Sequence, residues 1–267
     1  MIHPGAAISL ALLLAACMTP APPAAPPGIA AELAPTGKLR AAINFGNPVL
    51  AAKDPATGEP RGVSVALSRE LARRLAVPLE LITYDAAGKV VDHAATGAWD
   101  IAFVAIDPKR AIDMDYTAPY VLIEGAYVVP QSSPIRVNAD VDRAGMRVVA
   151  AKGSAYDLYL SRELRHATIV HVATSQEVVA KMLASGAEAG AGVLQQLEAA
   201  ARSTPGVRVL DGRFMVIQQA MAVPKGRPQG ARYLAAFVEE MKASGFVAAA
   251  LRDNSIDGAT IAPRAAR

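Results

Sequence analysis

An α/β protein of two lobes is what this sequence predicts, on three observations. From Thr36 onward, short apolar runs alternate with amphipathic segments, the pattern of strands and helices taking turns along the chain. Two extended runs, Tyr120 to Val129 and Phe214 to Val223, are long enough to pass from one folded unit into another. A chain of 267 residues, 52% hydrophobic and 19% charged, can fill a sizeable core in each.

At the N-terminus, Gly5 to Ala16 is an apolar stretch too short to span a bilayer and reads as the core of an export signal. It ends in Leu14-Ala15-Ala16-Cys17, which resembles the bacterial lipobox, so residues 1–17 are assigned as a lipoprotein signal peptide with Cys17 lipidated. An ordinary cleaved signal is the plainer alternative, and an n-region holding His3 but no Lys or Arg argues against both. Cys17 is the only cysteine, which leaves no disulfide within the chain and no second thiol for a metal. Residues 18–35 read as an extended tether to a membrane surface, since Pro20 to Pro35 holds six prolines and one charged residue, Glu32.

The folded part opens with a strand from Lys38 to Asn44, followed by the loop Phe45-Gly46-Asn47-Pro48 and a surface turn from Asp54 to Pro60. A helix over Val63 to Ala76 places Val63, Leu67, Leu71 and Leu75 on one face. Leu79 to Tyr84 is the next strand, and a helix from Lys89 to about Thr96 ends at Gly97. A buried strand begins at Asp100 and breaks at Asp107-Pro108, where Asp can cap and Pro can open a helical turn that carries Arg110.

After the long run from Tyr120, with Gly125 a candidate hinge, a second α/β unit follows. Its strands are Met146 to Ala150, Thr168 to Val172, a short one near Ala189, and Val207 to Leu210. Its helices are Ala155 to Leu164, Ser175 to Ala184 and Val193 to Ala201, the first two announced by capping boxes, Ser154 with Asp157 and Thr174 with Glu177. The run from Phe214 returns to a helix over Gln229 to Ser244, with Leu234, Phe237, Val238 and Met241 inward and Gly245 at its end.

Composition narrows the function. A net charge of +3 without a run of basic residues argues against nucleic acid, and 5% aromatic residues against a sugar site of stacked rings. His166 and His171 lack further ligands at metal spacing, and neither a nucleophile elbow nor a phosphate-binding glycine loop occurs, so no cofactor or metal is implied. Arg110, just beyond a buried strand, sits where open α/β sheets bind ligands, and its planar fork suits a carboxylate. The plainer role is a surface arginine paired with Asp113.

The segments Asp54-Pro-Ala-Thr-Gly-Glu-Pro-Arg-Gly62, Gly97-Ala-Trp-Asp-Ile-Ala-Phe103, Pro108-Lys-Arg110 and Asp115-Tyr-Thr-Ala-Pro-Tyr120, in this order, resemble the extracytoplasmic solute-binding proteins, family 3, of amino-acid-type ABC importers. The resemblance runs from about Thr36 to Ala262. It implies a type II periplasmic-binding-protein-like fold with two crossing strands as hinge. Lobe one would be residues 36–124 plus 221–267 and lobe two residues 125–220. It further implies a monomer that delivers a carboxylate-bearing solute to an inner-membrane ABC permease from a periplasmic or extracytoplasmic site.

On the same resemblance Arg110 pairs with the ligand carboxylate, and Ser154 with the amides of the following helix completes the anion site. Tyr156 lines the cleft, and Phe45 and Asn47 fall where relatives place an aromatic ring against the ligand side chain, Asn47 nearer the offset. The chain departs from the pattern at Ala105, where relatives often carry a small hydroxyl residue, and at Gly192, near which the acid for an α-amino group is expected. Asp157, otherwise the capping-box acid, or Glu124 could replace that acid. If neither does, the ligand is a simple organic acid. The rival readings are a periplasmic dehydratase of cyclohexadienyl type, with Glu124 or Asp157 as proton donor, and a sensory ligand-binding module.

Overall fold

The computed structural model describes residues 25–26 and 28–265, so Cys17, the export segment and most of the proline stretch lie outside the described residues. In chain order the elements are α1 (Ile29–Leu33), β1 (Leu39–Asn44), β2 (Ala52–Lys53), β3 (Pro60–Arg61), α2 (Val63–Leu75), β4 (Leu79–Tyr84) and α3 (Ala87–Asp92). Next come β5 (Ile101–Ala105), β6 (Met114–Tyr116), β7 (Val121–Pro130), β8 (Arg147–Ala151), α4 (Ala155–Glu163), β9 (Thr168–Val172), α5 (Val178–Ser185), β10 (Ala189–Val193) and α6 (Leu194–Ser203). The chain closes with β11 (Val207–Val209), β12 (Met215–Pro224), α7 (Pro228–Ala243), α8 (Phe246–Asp253) and β13 (Thr260–Ile261).

One sheet carries both lobes, in the order β4-β1-β5-β12-β7-β10-β8-β9. β1 runs parallel to β4 and β5, and β8 parallel to β9 and β10, as helical crossovers require. The long strands β7 and β12 join the two halves. Antiparallel to each other over Val121–Gly125 and Gln219–Met215, they then separate: β12 continues from Gln219 to Ala222 along β5, and β7 from Gly125 to Val128 along β10. At Gly125 an added Cβ would lie 2.7 Å from Met215 Cγ and 3.1 Å from Phe214 Cζ, so those side chains would have to move to admit one.

The first lobe is fixed by a buried carboxylate. Asp100, 0% exposed, accepts from Arg40 N, Nε and Nη2 at 3.0, 2.9 and 2.9 Å and from Arg227 Nη1 at 3.1 Å, which ties β1, the entry to β5 and the approach to α7 together. α2 starts at Gly62 because its φ of +121° and the 2.4 Å that would separate a Cβ from Leu50 O exclude other residues. Val63, Leu67, Leu71 and Leu75 are buried as the helical spacing predicts.

Several elements differ from expectation. Residues 29–33 of the expected tether form a helix: Ile29 and Leu33 are buried, Leu33 packs against Gly230, and Glu32 Oε2 accepts from Gly230 N at 2.7 Å in the first turn of α7. The three apolar residues Ile29, Ala30 and Ala31 and Leu33 give this stretch a face to bury, which proline content conceals. α3 begins two residues before Lys89, and Ala94–Thr96 is a separate 3-10 turn. Thr174 makes no side-chain cap, while Glu177 Oε2 accepts from Ala173 N at 3.1 Å, and α5 starts only at Val178. α8, β6, β13 and the short β2-β3 pair around the expected surface turn add to the expected elements. No helix among the described residues is long and apolar enough to cross a membrane.

Because Leu33 is 0% exposed, replacing it by Ala should lower the unfolding free energy by about 2–5 kcal/mol in a urea titration. A change below about 0.5 kcal/mol, as for a surface position, would show that the segment does not belong to the folded core.

Candidate functional site

Arg110 is placed by a turn the sequence encodes locally. β5 ends at Ala105, Asp107 Oδ1 accepts from Lys109 N at 2.9 Å, and a 3-10 turn follows over Arg110–Ile112. This folds the guanidinium back under the strand end, where the residue is 2% exposed. Its Nη1 donates to Ala105 O at 3.0 Å and its Nη2 to Gly153 O at 2.7 Å, while Nε is buried without a partner. Among the described residues no carboxylate lies within ion-pair distance of it: Asp107 Oδ2 is taken by Arg162 Nη1 at 2.9 Å, and Asp113 is not engaged. Burial pushes the Arg110 pKa down, opposed by the carboxylates of Asp107 and Asp157, and arginine stays cationic regardless. Burial also holds the neighbouring Tyr116 phenol up at about 12, so it remains neutral.

The guanidinium faces a cavity between the lobes. The first lobe contributes Asn44, Asn47, Phe103 and Ala105, and the second Ala151, Lys152, Ser154, Tyr156, Ser175 and Val193. Ile217 and Gln219 of the crossing strand β12 complete the lining. The cavity volume is about 30 Å³, room for about one water. Three contacts draw the walls together. Gly88 of α3 meets Gly153 backbone to backbone, so that a Cβ on Gly88 would lie 2.9 Å from Lys152 O and 3.4 Å from Gly153 Cα. The Arg162–Asp107 pair spans the same gap, and Gln176 Nε2 donates to Phe45 O at 3.2 Å.

Five of the sequence-predicted residues line this cavity: Asn47, Ala105, Arg110, Ser154 and Tyr156. Ser154 also caps α4, its Oγ accepting from Asp157 N at 3.1 Å, and Tyr156 OH bonds Ser175 Oγ at 2.7 Å. Three do not line it. The Phe45 ring faces the other way, with Lys53 Nζ 5.6 Å from its centroid, because the loop turns Asn44 and Asn47 inward instead. Asp157 is directed away from the cavity: Oδ2 accepts from Gly153 N at 2.7 Å, one residue before the expected capping-box partner, and Oδ1 pairs with His171 Nε2 at 2.8 Å. Glu124 pairs with Arg213 at 2.5 Å outside the cavity, since strand alternation gives the inward face to the buried neighbour Ile123. Cys17 lies outside the described residues.

The sequence reading missed Asn44, Lys152, Ser175 and Gln219. Asn44 is a polar residue ending an apolar strand, a signal that could have been used; Gln219 sits mid-strand in β12 with nothing local to mark it. Among the described residues no three His, Cys, Asp or Glu side chains converge as metal ligands.

The fold recurs in solved structures. The solute receptor for L-cysteine of Neisseria gonorrhoeae is 22% identical, with 85% of this chain and 92% of that chain covered at a TM-score of 0.73. An amino acid ABC transporter substrate-binding protein from Streptococcus pneumoniae bound to L-arginine is 17% identical, with 88% and 99% covered and a TM-score of 0.71. An ancestral amino acid-binding protein, described as a precursor of cyclohexadienyl dehydratase, is 20% identical, with 83% and 97% covered and a TM-score of 0.68. At such identities the likeness is one of fold, and no curated protein sequence matches the chain. The sequence itself matches a family model over residues 39–253, within which both the crossing strands and the Arg110 cavity fall, and the chain therefore belongs to the bacterial extracellular solute-binding proteins, family 3.

Proposed function

We propose that this protein captures a small carboxylate-bearing solute between its lobes and presents it to an ABC permease. The observation that carries the proposal is the buried Arg110 guanidinium, which faces the interlobe cavity without a carboxylate from the protein. A buried cation paired only with carbonyls is poorly compensated, and a ligand carboxylate could take its two terminal nitrogens together. Ser154 and the free amides at the start of α4 would add donors from the opposite wall.

With a cavity of about 30 Å³, entry of even a small acid requires the lobes to part and the Arg110–Gly153 bond to break. The strands β7 and β12 are the natural hinge, since each changes partners midway, at Gly125 and Gln219. That supports a lobe one of residues 36–124 plus 221–267, with α1 packed on it, and a lobe two of 125–220. Lipidation at Cys17 would hold this monomer at a membrane surface on the extracytoplasmic side. Binding is favoured over dehydratase chemistry because neither candidate proton donor, Glu124 or Asp157, faces the cavity.

Titration calorimetry against amino and organic acids should find a carboxylate ligand whose affinity falls about 100-fold or more in Arg110→Ala, with the fold verified by circular dichroism. Retention of full affinity would remove Arg110 from the site. Gly88→Ala suits a helical position yet places a Cβ against Lys152 O, so it should weaken the same ligand and leave the protein more open in small-angle scattering. Prephenate incubated with the protein should persist; its consumption would establish the enzyme reading instead.

A further inference from the structure

We infer that the solute selected by this cleft is a small monocarboxylate carrying a hydroxyl where an amino acid carries its ammonium. The inference rests on the carboxylate-binding reading above and specifies the ligand's other polar group.

The cavity is rich in donors. Asn44 Oδ1 accepts from Gly46 N at 2.9 Å and Asn47 Oδ1 from Val49 N at 3.2 Å, which fixes the orientation of both amides and leaves the Nδ2 donor of each as the group free to meet a ligand. Ser154 Oγ already accepts from Asp157 N, which leaves its O–H to donate, and Arg110 can only donate. Among the described residues no Asp or Glu lines the cavity. The two acids the sequence offered, Asp157 and Glu124, are committed elsewhere, Asp157 to Gly153 N and His171 and Glu124 to Arg213.

Gln219, 5% exposed, also lines the cavity; no hydrogen bond fixes its side-chain amide, which is free to turn its oxygen toward a ligand as an acceptor. A neutral amide oxygen satisfies a single hydroxyl. A buried ammonium, with three donors and a full charge, is best compensated by a carboxylate, which the described lining does not supply.

Calorimetry on the full-length protein with lactate against alanine, 2-hydroxyisovalerate against valine, and propionate as the compound lacking both groups tests this. The hydroxy acid should bind at least about 10-fold tighter than the amino acid of the same skeleton, and lactate tighter than propionate. In Gln219→Leu the gap between lactate and propionate should close. An amino acid binding as tightly as its hydroxy counterpart, with loss in Arg110→Ala, would overturn the inference and leave the carboxylate site standing. Failure of every acid in the panel to bind the folded protein would overturn both. A lactate preference that persists in Gln219→Leu would remove Gln219 from the hydroxyl site.

Discussion

A positive charge buried without a negative partner organises this molecule's cleft. Desolvating a guanidinium is costly, and two backbone carbonyls return only part of what water gave it. The protein could have offered Asp107, an acid three residues before the arginine, yet that carboxylate caps the turn leading to Arg110 and pairs with Arg162 of the other lobe. One acid thus sets the arginine's backbone and clasps the lobes while leaving the guanidinium uncompensated. Asp157 is withheld in a similar way by Gly153 N and His171. The electrostatic imbalance at the cavity comes from where these carboxylates are spent.

The sheet supplies the geometry that makes such an imbalance useful. A ligand between two lobes must touch both, and here Arg110 from beyond β5 already reaches Gly153 at the mouth of α4. The glycine pair permits it: any side chain at Gly88 would press on the backbone of the facing loop, and Gly153 has a φ of +72° besides. Close approach of the walls and reach of the arginine are one structural fact seen from two sides.

Most of the architecture was legible because its signals are local. The buried faces of α2 and α7 follow helical spacing, β4 and β9 stand where apolar runs lie between turns, and the Asp107-Pro108 turn carries Arg110 as its chemistry implies. α8 was hidden because Gly245 ends the preceding periodicity and also opens the next helix, with a φ of +79° that interrupts the path without ending helical structure. α1 was hidden by the prolines around it. At the site, Phe45 and Asn44 differ by one step of chain and hence by the direction each side chain takes, which no composition reveals. The contacts that bring the walls together, Gly88 with Gly153 and Asp107 with Arg162, join residues more than fifty positions apart and exist only once the sheet has assembled.

The packing of α1 on α7 sets a frame of reference for any motion. Glu32 accepts from the first turn of α7, and Leu33 fits against Gly230 so closely that a Cβ there would lie 2.8 Å away. α1 is therefore coupled mechanically to the lobe built on β1, β4 and β5. If α1 is held fixed, this lobe is the stator and the lobe built on β8, β9 and β10 is the rotor. Bending at β7 and β12 then swings the wall that carries Ser154 and Tyr156 while Arg110 stays put.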